Sequence, residues 1–387
     1  MRRRVSRIRA MRLRNFFLAT TTLGICWAQP RPIVTGLQGP QKLILTPGGN
    51  LLISETNLRP NLGRISFATR GGARRSLFEN MPSGTEVTGG SSGPTALALR
   101  ERTLYVAIGG GEIERRAPDG SSIHNPAGVS SPLFASVLEF RFDRDVDMIG
   151  GTFRMTPEIQ QRLADGDEAV LEDGQGARAT ARLLVKLQNS IPDPRLTYRF
   201  ANPWGLALAP NGRTLYMTDG SMNSLVAIDT QSGRPVKLAT FENVPNYGRV
   251  GPPTVESVPT SVRVYGDQLL VSFLSGAPFQ PGNGRVLAVN PERRTSDPFI
   301  FGLTSCTDVL YREMPNGRAQ FWVLEFSLNQ LATPPAAGRL LRYDTPSPVV
   351  VVPALPAPTS LALDERAEVL YILSLTGQVF ELPVGGM

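Results

Sequence analysis

Histidine is almost missing from this sequence, since His124 is the only one in 387 residues. A zinc site with several histidine ligands and a catalytic site built on a histidine pair are therefore both excluded. His124 stands in the polar stretch Ser121-Ser122-Ile123-His124-Asn125, where we expect a solvated side chain rather than a catalytic one.

Cysteine is nearly as scarce, with Cys26 and Cys306 as the only two. Cys26 falls in an N-terminal segment that we expect to be removed, so no pair is left for a disulfide. A core as large as this chain can build does not need one. Without a histidine partner, Cys306 is expected to be a small buried apolar residue.

Acidic residues are absent from residues 1–28, which hold seven arginines. The formal net charge of the whole chain is +7, but the remaining 33 basic and 33 acidic residues cancel. The basic balance therefore belongs to the N-terminal segment and gives no reason to expect binding to nucleic acid or to anionic membranes.

A hydrophobic run long enough to cross a membrane is also missing, because the apolar stretch at 16–25 is well short of the ~20 residues required. An arginine-rich start, this stretch and the sequence Cys26-Trp27-Ala28 together predict a signal peptide over 1–28, with cleavage before Gln29. Met11 is an alternative start. A lipoprotein signal ending at Cys26 is disfavoured by the bulky Ile25. We expect a secreted or periplasmic protein whose mature chain has no transmembrane segment.

What the sequence does contain is a repeat: a Pro, two variable residues and then alternating apolar residues. The phrase begins at 40, 94, 203, 259, 306 and 358, with Cys306 in place of Pro in the fifth copy, and the steps are 54, 109, 56, 47 and 52 residues. Each copy is followed by a turn and by further short apolar segments, which are typical of strands. Several strands per unit at a spacing near fifty predict propeller blades.

The fold class predicted is therefore all-β, a six-bladed β-propeller over 29–387. The one long step indicates a partly helical insertion between blades 2 and 3, at about 143–199, where Thr156-Pro157 is a helix-start signal. The chain ends after the third strand of the last blade. The segment Pro32-Ile33-Val34 is therefore expected to supply the fourth strand and close the ring.

Polar residues cluster in the two sets of loops that such a ring brings to one end of its channel. For a ligand we select Trp204, which could stack on a flat or sugar molecule, together with a polar set: Thr260, Thr359, Glu55 and Asn57. For a divalent cation such as Ca²⁺ we select the oxygen-bearing residues Asp308, Asn202, Glu325 and Asp219. The alternative is that these residues only form turns or pack.

Asp308 interrupts the repeat, because the other blades carry Lys42, Ala96, Gly205, Ser261 and Ser360 at its position. A carboxylate near the channel needs a compensating positive charge. That charge is either a cation or Lys42, and the second case is a structural ion pair.

The run Gly109-Gly110-Gly111 lacks the context of a phosphate loop, and we interpret it as room for close approach or as a turn.

Several motifs carry a family resemblance. The stretch Gly276-Ala277-Pro278-Phe279-Gln280-Pro281-Gly282 is the most specific, with Asn202-Pro203-Trp204-Gly205-Leu206 and Trp322-Val323-Leu324-Glu325 in support. Over most of 30–383 the chain resembles the ScyD/ScyE family of exported bacterial propellers. It departs from that family at Phe200-Ala201 and in its longer insertion.

A weaker resemblance is to NHL-type and gluconolactonase-like propellers, and it implies metal-ligand roles for Asn202 and Asp308. Gln38 stands where those lactonases carry a glutamate, a loss that weakens Ca²⁺ binding. Two functions stay open. The first is a monomeric binding propeller for a small molecule or an envelope protein. The second is a metal-dependent hydrolase or lyase, in which a cation polarises a carbonyl or activates water.

Overall fold

The computed structural model describes residues 29–191, 197–248, 250–314 and 316–385. The predicted signal peptide, 1–28, lies outside these residues. Strand β1 (Arg31–Val34) precedes blade 1. That blade consists of β2 (Pro40–Leu45), β3 (Leu51–Glu55), β4 (Gly63–Ala68) and β5 (Arg74–Met81). A short hairpin follows, formed by β6 (Gly84–Thr85) and β7 (Ser91–Ser92).

Blade 2 is the most elaborate of the six. It begins with β8 (Pro94–Arg100) and β9 (Thr103–Ile108), followed by a 3-10 turn (Gly111–Ile113) and the hairpin β10 (Glu114–Arg116) and β11 (Ser122–His124). Its third strand is β12 (Ser136–Phe142), after which come a 3-10 turn (Val146–Met148), β13 (Phe153–Arg154), helix α1 (Pro157–Ala164), β14 (Ala169–Glu172) and β15 (Arg178–Lys186).

Blades 3, 4 and 5 are regular four-stranded units, and blade 6 follows them with three strands. Blade 3 is β16 (Pro203–Leu208), β17 (Thr214–Asp219), β18 (Ser224–Asp229) and β19 (Pro235–Thr240), followed by the hairpin β20 (Val244–Pro245) and β21 (Thr254–Val255). Blade 4 is β22 (Pro259–Tyr265), β23 (Gln268–Phe273), β24 (Gly284–Asn290) and β25 (Thr295–Leu303). Blade 5 is β26 (Cys306–Glu313), β27 (Ala319–Glu325), β28 (Gly338–Tyr343) and β29 (Val349–Leu355). Blade 6 is β30 (Pro358–Asp364), β31 (Val369–Ser374) and β32 (Gln378–Pro383).

The repeated phrase forms the inner strand of every blade, because β2, β8, β16, β22, β26 and β30 begin at its first residue. The missing fourth strand of blade 6 is β1, which pairs antiparallel with β32 through Arg31 opposite Glu381 and Val34 opposite Val379. The predicted six-bladed propeller, closed by the N-terminal strand, is confirmed. Among the described residues, no helix is both long and apolar enough to span a membrane.

The structure assigns only part of the segment 143–199 to an insertion, whereas we expected the whole segment to be inserted. Helix α1 starts as predicted, with Thr156 accepting a hydrogen bond from the Ile159 N–H and Pro157 in the first turn. Strand β15, however, pairs with β12 as the outer strand of blade 2, so the inserted residues are 143–177 and lie inside that blade. Within them, β14 adds a fifth strand to blade 2, and β13 adds one to blade 1, parallel to β5. The insertion therefore covers the outer edges of two neighbouring blades.

Apolar side chains fill the space between neighbouring blades. The largest cluster joins blades 1 and 2 to the insertion, and Phe78 lies at its centre, with ring centroids 4.4 Å from Phe140 and 5.1 Å from Phe153. Cys306 is fully buried, as predicted, and burial raises the pKa of its thiol. His124 is exposed on the β10–β11 hairpin.

Candidate functional site

A β-bulge interrupts the strand pairing directly after the first residue of all six inner strands and changes the direction of the next residue's side chain. In three blades that residue is a threonine whose hydroxyl donates to the carbonyl of the first inner-strand residue of the next blade. The pairs are Thr95 with Pro203 at 2.7 Å, Thr260 with Cys306 at 3.0 Å and Thr307 with Pro358 at 3.0 Å. Thr260 thus links blades 4 and 5. Thr359, at the equivalent position, donates to Leu373 within its own blade at 3.5 Å.

The same position in blade 3 holds Trp204, whose indole N–H is also a donor but makes no hydrogen bond to a residue that the structure describes. Its side chain is half-exposed, whereas the flanking Pro203 and Gly205 are buried. An indole left accessible where three other blades use a hydroxyl to join neighbours offers an aromatic surface to a ligand. Among the residues predicted to bind a ligand, Trp204 is therefore the one with the least evident role in joining the blades.

Three of the predicted acids share one structural role at the end of a second strand. Each accepts the backbone N–H of a residue that leads into the inner strand of the same blade. Glu55 accepts from Gln38 at 2.6 Å, Asp219 from Asn202 at 2.9 Å and Glu325 from Thr304 at 2.5 Å. Glu55 and Glu325 also face arginines, Arg74 and Arg339. These carboxylates hold the entry loops in place. Glu55 and Glu325 have both oxygens engaged, whereas Asp219 accepts the N–H groups of Asn202 and Met222 at Oδ1 alone.

Asp308 lies fully buried in the wall of the channel, and its positive partner is Arg263. Nη2 of Arg263 donates to one carboxylate oxygen at 2.6 Å and Nε to the other at 3.2 Å. The backbone N–H of Leu361 and the hydroxyl of Ser360 also donate to Asp308, at 2.9 and 3.2 Å. Burial alone would raise the pKa of Asp308, but the charges of Arg263 and Lys42 hold it below its usual value.

Lys42, the partner we considered from the sequence, lies nearby but makes no ion pair with Asp308. Its Nζ donates to the carbonyls of Thr307 and Thr359, at 3.4 and 3.5 Å. Burial lowers the pKa of Lys42 to about 8, even though the charge of Asp308 opposes this. At the level of Lys42, Arg263 and Asp308 the channel narrows to a cavity of about 20 Å³, which has room for roughly one water molecule.

The four residues selected for a cation are only partly brought together. Asp219 accepts a hydrogen bond from the backbone N–H of Asn202. Asp308 and Glu325 both lie near enough to Cys306 for their charges to raise the pKa of its thiol, and each pairs with its own arginine. Within 29–191, 197–248, 250–314 and 316–385, no three His, Cys, Asp or Glu side chains form a group that could hold a metal ion.

Sequence reasoning missed Glu86, which lies at the mouth of the ring on the β6–β7 hairpin. Nδ2 of Asn202 lies 3.4 Å from Oε1 of Glu86 and donates to it, and the side chains of Ser92 and Thr88 hydrogen-bond to the same carboxylate. Burial raises the pKa of Glu86 to about 7, and these hydrogen bonds only partly oppose it. The signal available in the sequence was the glycine-rich loop 82–93, which is longer than a simple connection between blades needs to be.

Asn202 is held by both of its side-chain polar atoms. Its Oδ1 accepts the N–H of Gly110 at 2.9 Å while its Nδ2 donates to Glu86. The glycine run makes this possible: a Cβ on Gly110 would lie 1.9 Å from the ring of Phe200, and one on Gly109 would lie 2.6 Å from Oγ of Ser92. The expectation that Gly109-Gly110-Gly111 permits close approach is confirmed.

Further polar residues surround this pair. Burial and then the charges of Glu256 and Glu86, among others, raise the pKa of the half-buried Tyr198. Burial also raises the pKa of Glu256 itself, against a hydrogen bond from Thr197. Asn57 lies beside Ser92 through a backbone bridge and donates to the side chain of Gln38 at 3.0 Å. The mouth is therefore lined by hydrogen-bonding groups from the loops of blades 1 to 4, next to the half-buried ring of Tyr198.

No family model matches the chain, and no curated protein sequence matches it. Similar solved structures include a gluconolactonase from Xanthomonas campestris, at 12% identity and a TM-score of 0.48, covering 92% of this chain and 89% of that one. A Thermus thermophilus protein, described provisionally as an oxidoreductase (glucose dehydrogenase), is 16% identical with a TM-score of 0.47, over 92% and 99% of the two chains. Hydrazine synthase from Kuenenia stuttgartiensis is 14% identical with a TM-score of 0.43, over 88% and 75%.

These three proteins carry unrelated names, and one fold often serves many functions. At such identities and TM-scores the likeness carries no argument about activity. Neighbours of the gluconolactonase kind are present, as the weaker resemblance implied, but membership of the ScyD/ScyE family stays a prediction.

Proposed function

We propose that the protein is an exported binding propeller that holds a small polar ligand at the mouth of its ring. The observation that carries the proposal is the hydrogen-bonded pair of Glu86 and Asn202, set two residues from the half-exposed Trp204. Small-molecule sites commonly combine a few convergent polar groups with aromatic or apolar walls.

The protonation of Glu86 indicates the chemistry of the ligand. With its pKa raised to about 7, this carboxyl group is protonated in much of the population near neutral pH and can then donate a hydrogen bond as well as accept one. A protonated carboxyl beside an amide suits neutral hydroxyl or carbonyl groups better than it suits a cation. We therefore propose a neutral, hydroxyl-bearing molecule whose flat face stacks on Trp204.

A metal-dependent hydrolase or lyase is less well supported. That function needs free carboxylate oxygens around one point, whereas Asp308 and Glu325 are each paired with an arginine and Asp219 accepts two backbone N–H groups. An envelope protein as the partner would need a broad contact area, and the features described at the mouth form a compact polar cluster instead.

Tryptophan fluorescence tests the binding proposal directly. After removal of residues 1–28 the chain has two tryptophans, and Trp322 is fully buried, so Trp322→Phe leaves Trp204 as the only reporter. Glucose, N-acetylglucosamine and trehalose serve as probes. We expect a saturable change with at least one of them, weakened roughly tenfold or more in Asn202→Ala through the loss of a buried hydrogen-bonding group.

Glu292→Gln is the control, because Glu292 is exposed in the turn between β24 and β25. This variant should bind the probes as the parent does. If none of the three probes produces a saturable change, the proposed class of ligand is wrong. If binding occurs but is unaffected by Asn202→Ala, the ligand lies elsewhere on the ring.

Export is proposed from the sequence of residues 1–28. We expect N-terminal sequencing of protein recovered from the periplasm or medium to begin at Gln29. Material retained in the cytoplasm, or exported material that keeps residues before Gln29, would contradict the proposed localisation or the proposed cleavage position respectively.

A further inference from the structure

A second cavity opens at the opposite end of the ring from the mouth, where the inner strands end. We call it the lower bowl. Its volume is about 380 Å³, and its wall includes Leu45, Leu99, Leu208, Val264, Leu310 and Tyr311. These six side chains are all half-exposed. A volume of this size falls within the ~300–1,000 Å³ range of small-molecule pockets.

The wall of the lower bowl is rigid on one side. Tyr311 packs edge-on against Tyr265 at a centroid distance of 4.8 Å, and Tyr265 in turn contacts Phe321 at 5.5 Å. Phe299 completes the group, 5.0 Å from Phe321. Aromatic groups packed in this way hold the shape of the cavity, so the bowl exists before any molecule enters it.

Arg263 is the one charged residue among the described residues that line the bowl. Its Nε and Nη2 are committed to Asp308, and Nη2 also donates to the carbonyl of Leu361 at 2.8 Å. Nη1 makes no hydrogen bond to any residue that the structure describes. The side chain is 28% exposed while Asp308 is completely buried, so the guanidinium group separates the bowl from the carboxylate behind it.

The charges at this level of the channel do not cancel. Lys42 and Arg263 each contribute a positive charge against the single negative charge of Asp308, and all three line the narrow cavity above the bowl. Because that cavity is so small, it separates the bowl from the mouth. The bowl is therefore an apolar cup with a positive floor, which complements a molecule that has an apolar body and an anionic end.

We propose that the lower bowl binds a small apolar carboxylate, whose carboxylate group accepts a hydrogen bond from Nη1 of Arg263 while its hydrocarbon body packs against Leu99, Leu208 and Leu310. The proposal is independent of the polar ligand at the mouth. The occupant is a soluble organic acid, because the positive floor recognises its carboxylate and the apolar wall recognises its hydrocarbon body.

Calorimetric titration of the mature protein with octanoate tests this, with 1-octanol as the uncharged probe of similar length. We expect saturable binding of octanoate and at least roughly tenfold weaker binding of 1-octanol, because only octanoate meets the guanidinium group. Equal affinity for both probes, or no binding of octanoate, would overturn the proposal.

A matched pair of variants locates the site without disturbing Arg263 or Asp308. Leu208→Glu places a negative charge on the wall, and Leu208→Gln changes the same position without charge. We expect the first to abolish octanoate binding and the second to weaken it only modestly, with both variants retaining the circular dichroism of the parent. Equal losses in the two variants would show that charge does not govern the site.

A third measurement separates a soluble acid from a lipid surface. Sedimentation with vesicles of phosphatidylcholine and phosphatidylglycerol should leave the protein in the supernatant. If the protein instead binds the vesicles, and octanoate does not compete, then the lower bowl meets a membrane and the proposal is overturned.

Discussion

Asp308 was selected from the sequence for a cation, and the structure instead places it in an ion pair with Arg263. Its carboxylate, fully buried, is held by Arg263, Ser360 and the N–H of Leu361. We therefore expect Asp308→Asn to destabilise the protein by about 2–4 kcal/mol, because it leaves a largely buried guanidinium group without its counter-charge. Asp267→Asn, an exposed change in the next turn of the same blade as Arg263, is the control and should alter stability by less than ~0.5 kcal/mol.

Chemical denaturation measures the stability of both variants, and calcium titration by calorimetry accompanies it. We expect no calcium binding that depends on Asp308. Calcium binding in the wild type that disappears in Asp308→Asn, without loss of stability, would contradict the ion pair and restore the metal hypothesis.

Glu86 should make stability depend on pH. Its folded-state pKa is raised to about 7 from an ordinary value of 4.5. Between these two values the folded protein holds a proton that the unfolded chain has lost, so the free energy of unfolding falls as pH rises through this window. Asp219, with its pKa raised to about 6 by burial, acts in the same direction, so the comparison must isolate Glu86.

The variant Glu86→Gln removes this titration. Urea denaturation at intervals between pH 4.5 and 7.5 should show a shallower fall in the free energy of unfolding for the variant than for the wild type. Glu292→Gln should follow the wild-type curve. Parallel curves for the wild type and Glu86→Gln would mean that Glu86 keeps an ordinary pKa in the folded protein.

The repeat itself explains which single residues could be predicted. Glu55, Asp219 and Glu325 occupy equivalent positions in blades 1, 3 and 5, and each has the same structural duty. Equivalence within a repeat thus indicated a role in the fold, although the acids were selected for chemistry. Asp308 was correctly singled out as unique. Its partner Arg263, however, is not at the equivalent position of blade 4, which is Ser261, but two residues after it on the same inner strand. Only the packed ring shows that the two side chains meet.

At the scale of elements, the loop that carries Asn202 depends on the glycine run after β9. Gly110 has an ordinary helical φ of −68°, so an alanine there would meet no backbone strain. Its Cβ would instead lie 1.9 Å from the ring of Phe200. We expect Gly110→Ala to cost about 1–3 kcal/mol through overpacking and to displace Asn202 from the N–H of Gly110.

Gly71→Ala provides the comparison, because a Cβ there has ordinary space, with its nearest neighbour at 3.8 Å. Thermal denaturation should show a lower midpoint for Gly110→Ala alone, and Phe200→Leu in the same chain should recover part of the loss. If Gly110→Ala melts like Gly71→Ala, the close approach of the loop is not required for the fold.

Elements that repeat were predictable, whereas of the elements that occur once only helix α1 carried a clear start signal, at Thr156-Pro157. Inner strands begin at the expected residues because the Pro-led phrase recurs six times. The β10–β11 hairpin has no counterpart in the other blades, and the β6–β7 hairpin has one only after blade 3, where β20–β21 stands. Strand β15 was included in the insertion because its sequence follows a helix rather than a third strand. Glu86 lies on the β6–β7 hairpin, outside the sixfold repeat, and this is the physical reason that the polar mouth was only partly foreseen.

At the scale of the whole molecule, the ring is closed by strands from both ends of the described chain. Lys42 and Leu43 on β2 already contact blade 6, through the carbonyl of Thr359 and the hydroxyl of Ser360. These contacts join the inner strands only. The outer closure depends on β1, so the ring without it would keep its channel but expose the edge of β32.

Deleting 29–37 tests how much of the ring depends on that outer closure. The deletion removes the β1–β32 pairing together with the buried side chains of Val34 and Leu37. Each buried side chain contributes ~1.5–3 kcal/mol, so we expect a loss of about 3 kcal/mol or more and a lower midpoint in a thermal melt. A chain that lacks only 29–30 keeps β1 intact and should melt like a chain that begins at Gln29. So should Arg31→Ala, because the ion pair of Arg31 with Glu381 is largely exposed and contributes little. An unchanged midpoint after deletion of 29–37 would mean that the remaining contacts between blades 1 and 6, those of β2 with β30 and the ion pair of Arg70 with Asp364, hold the two ends together.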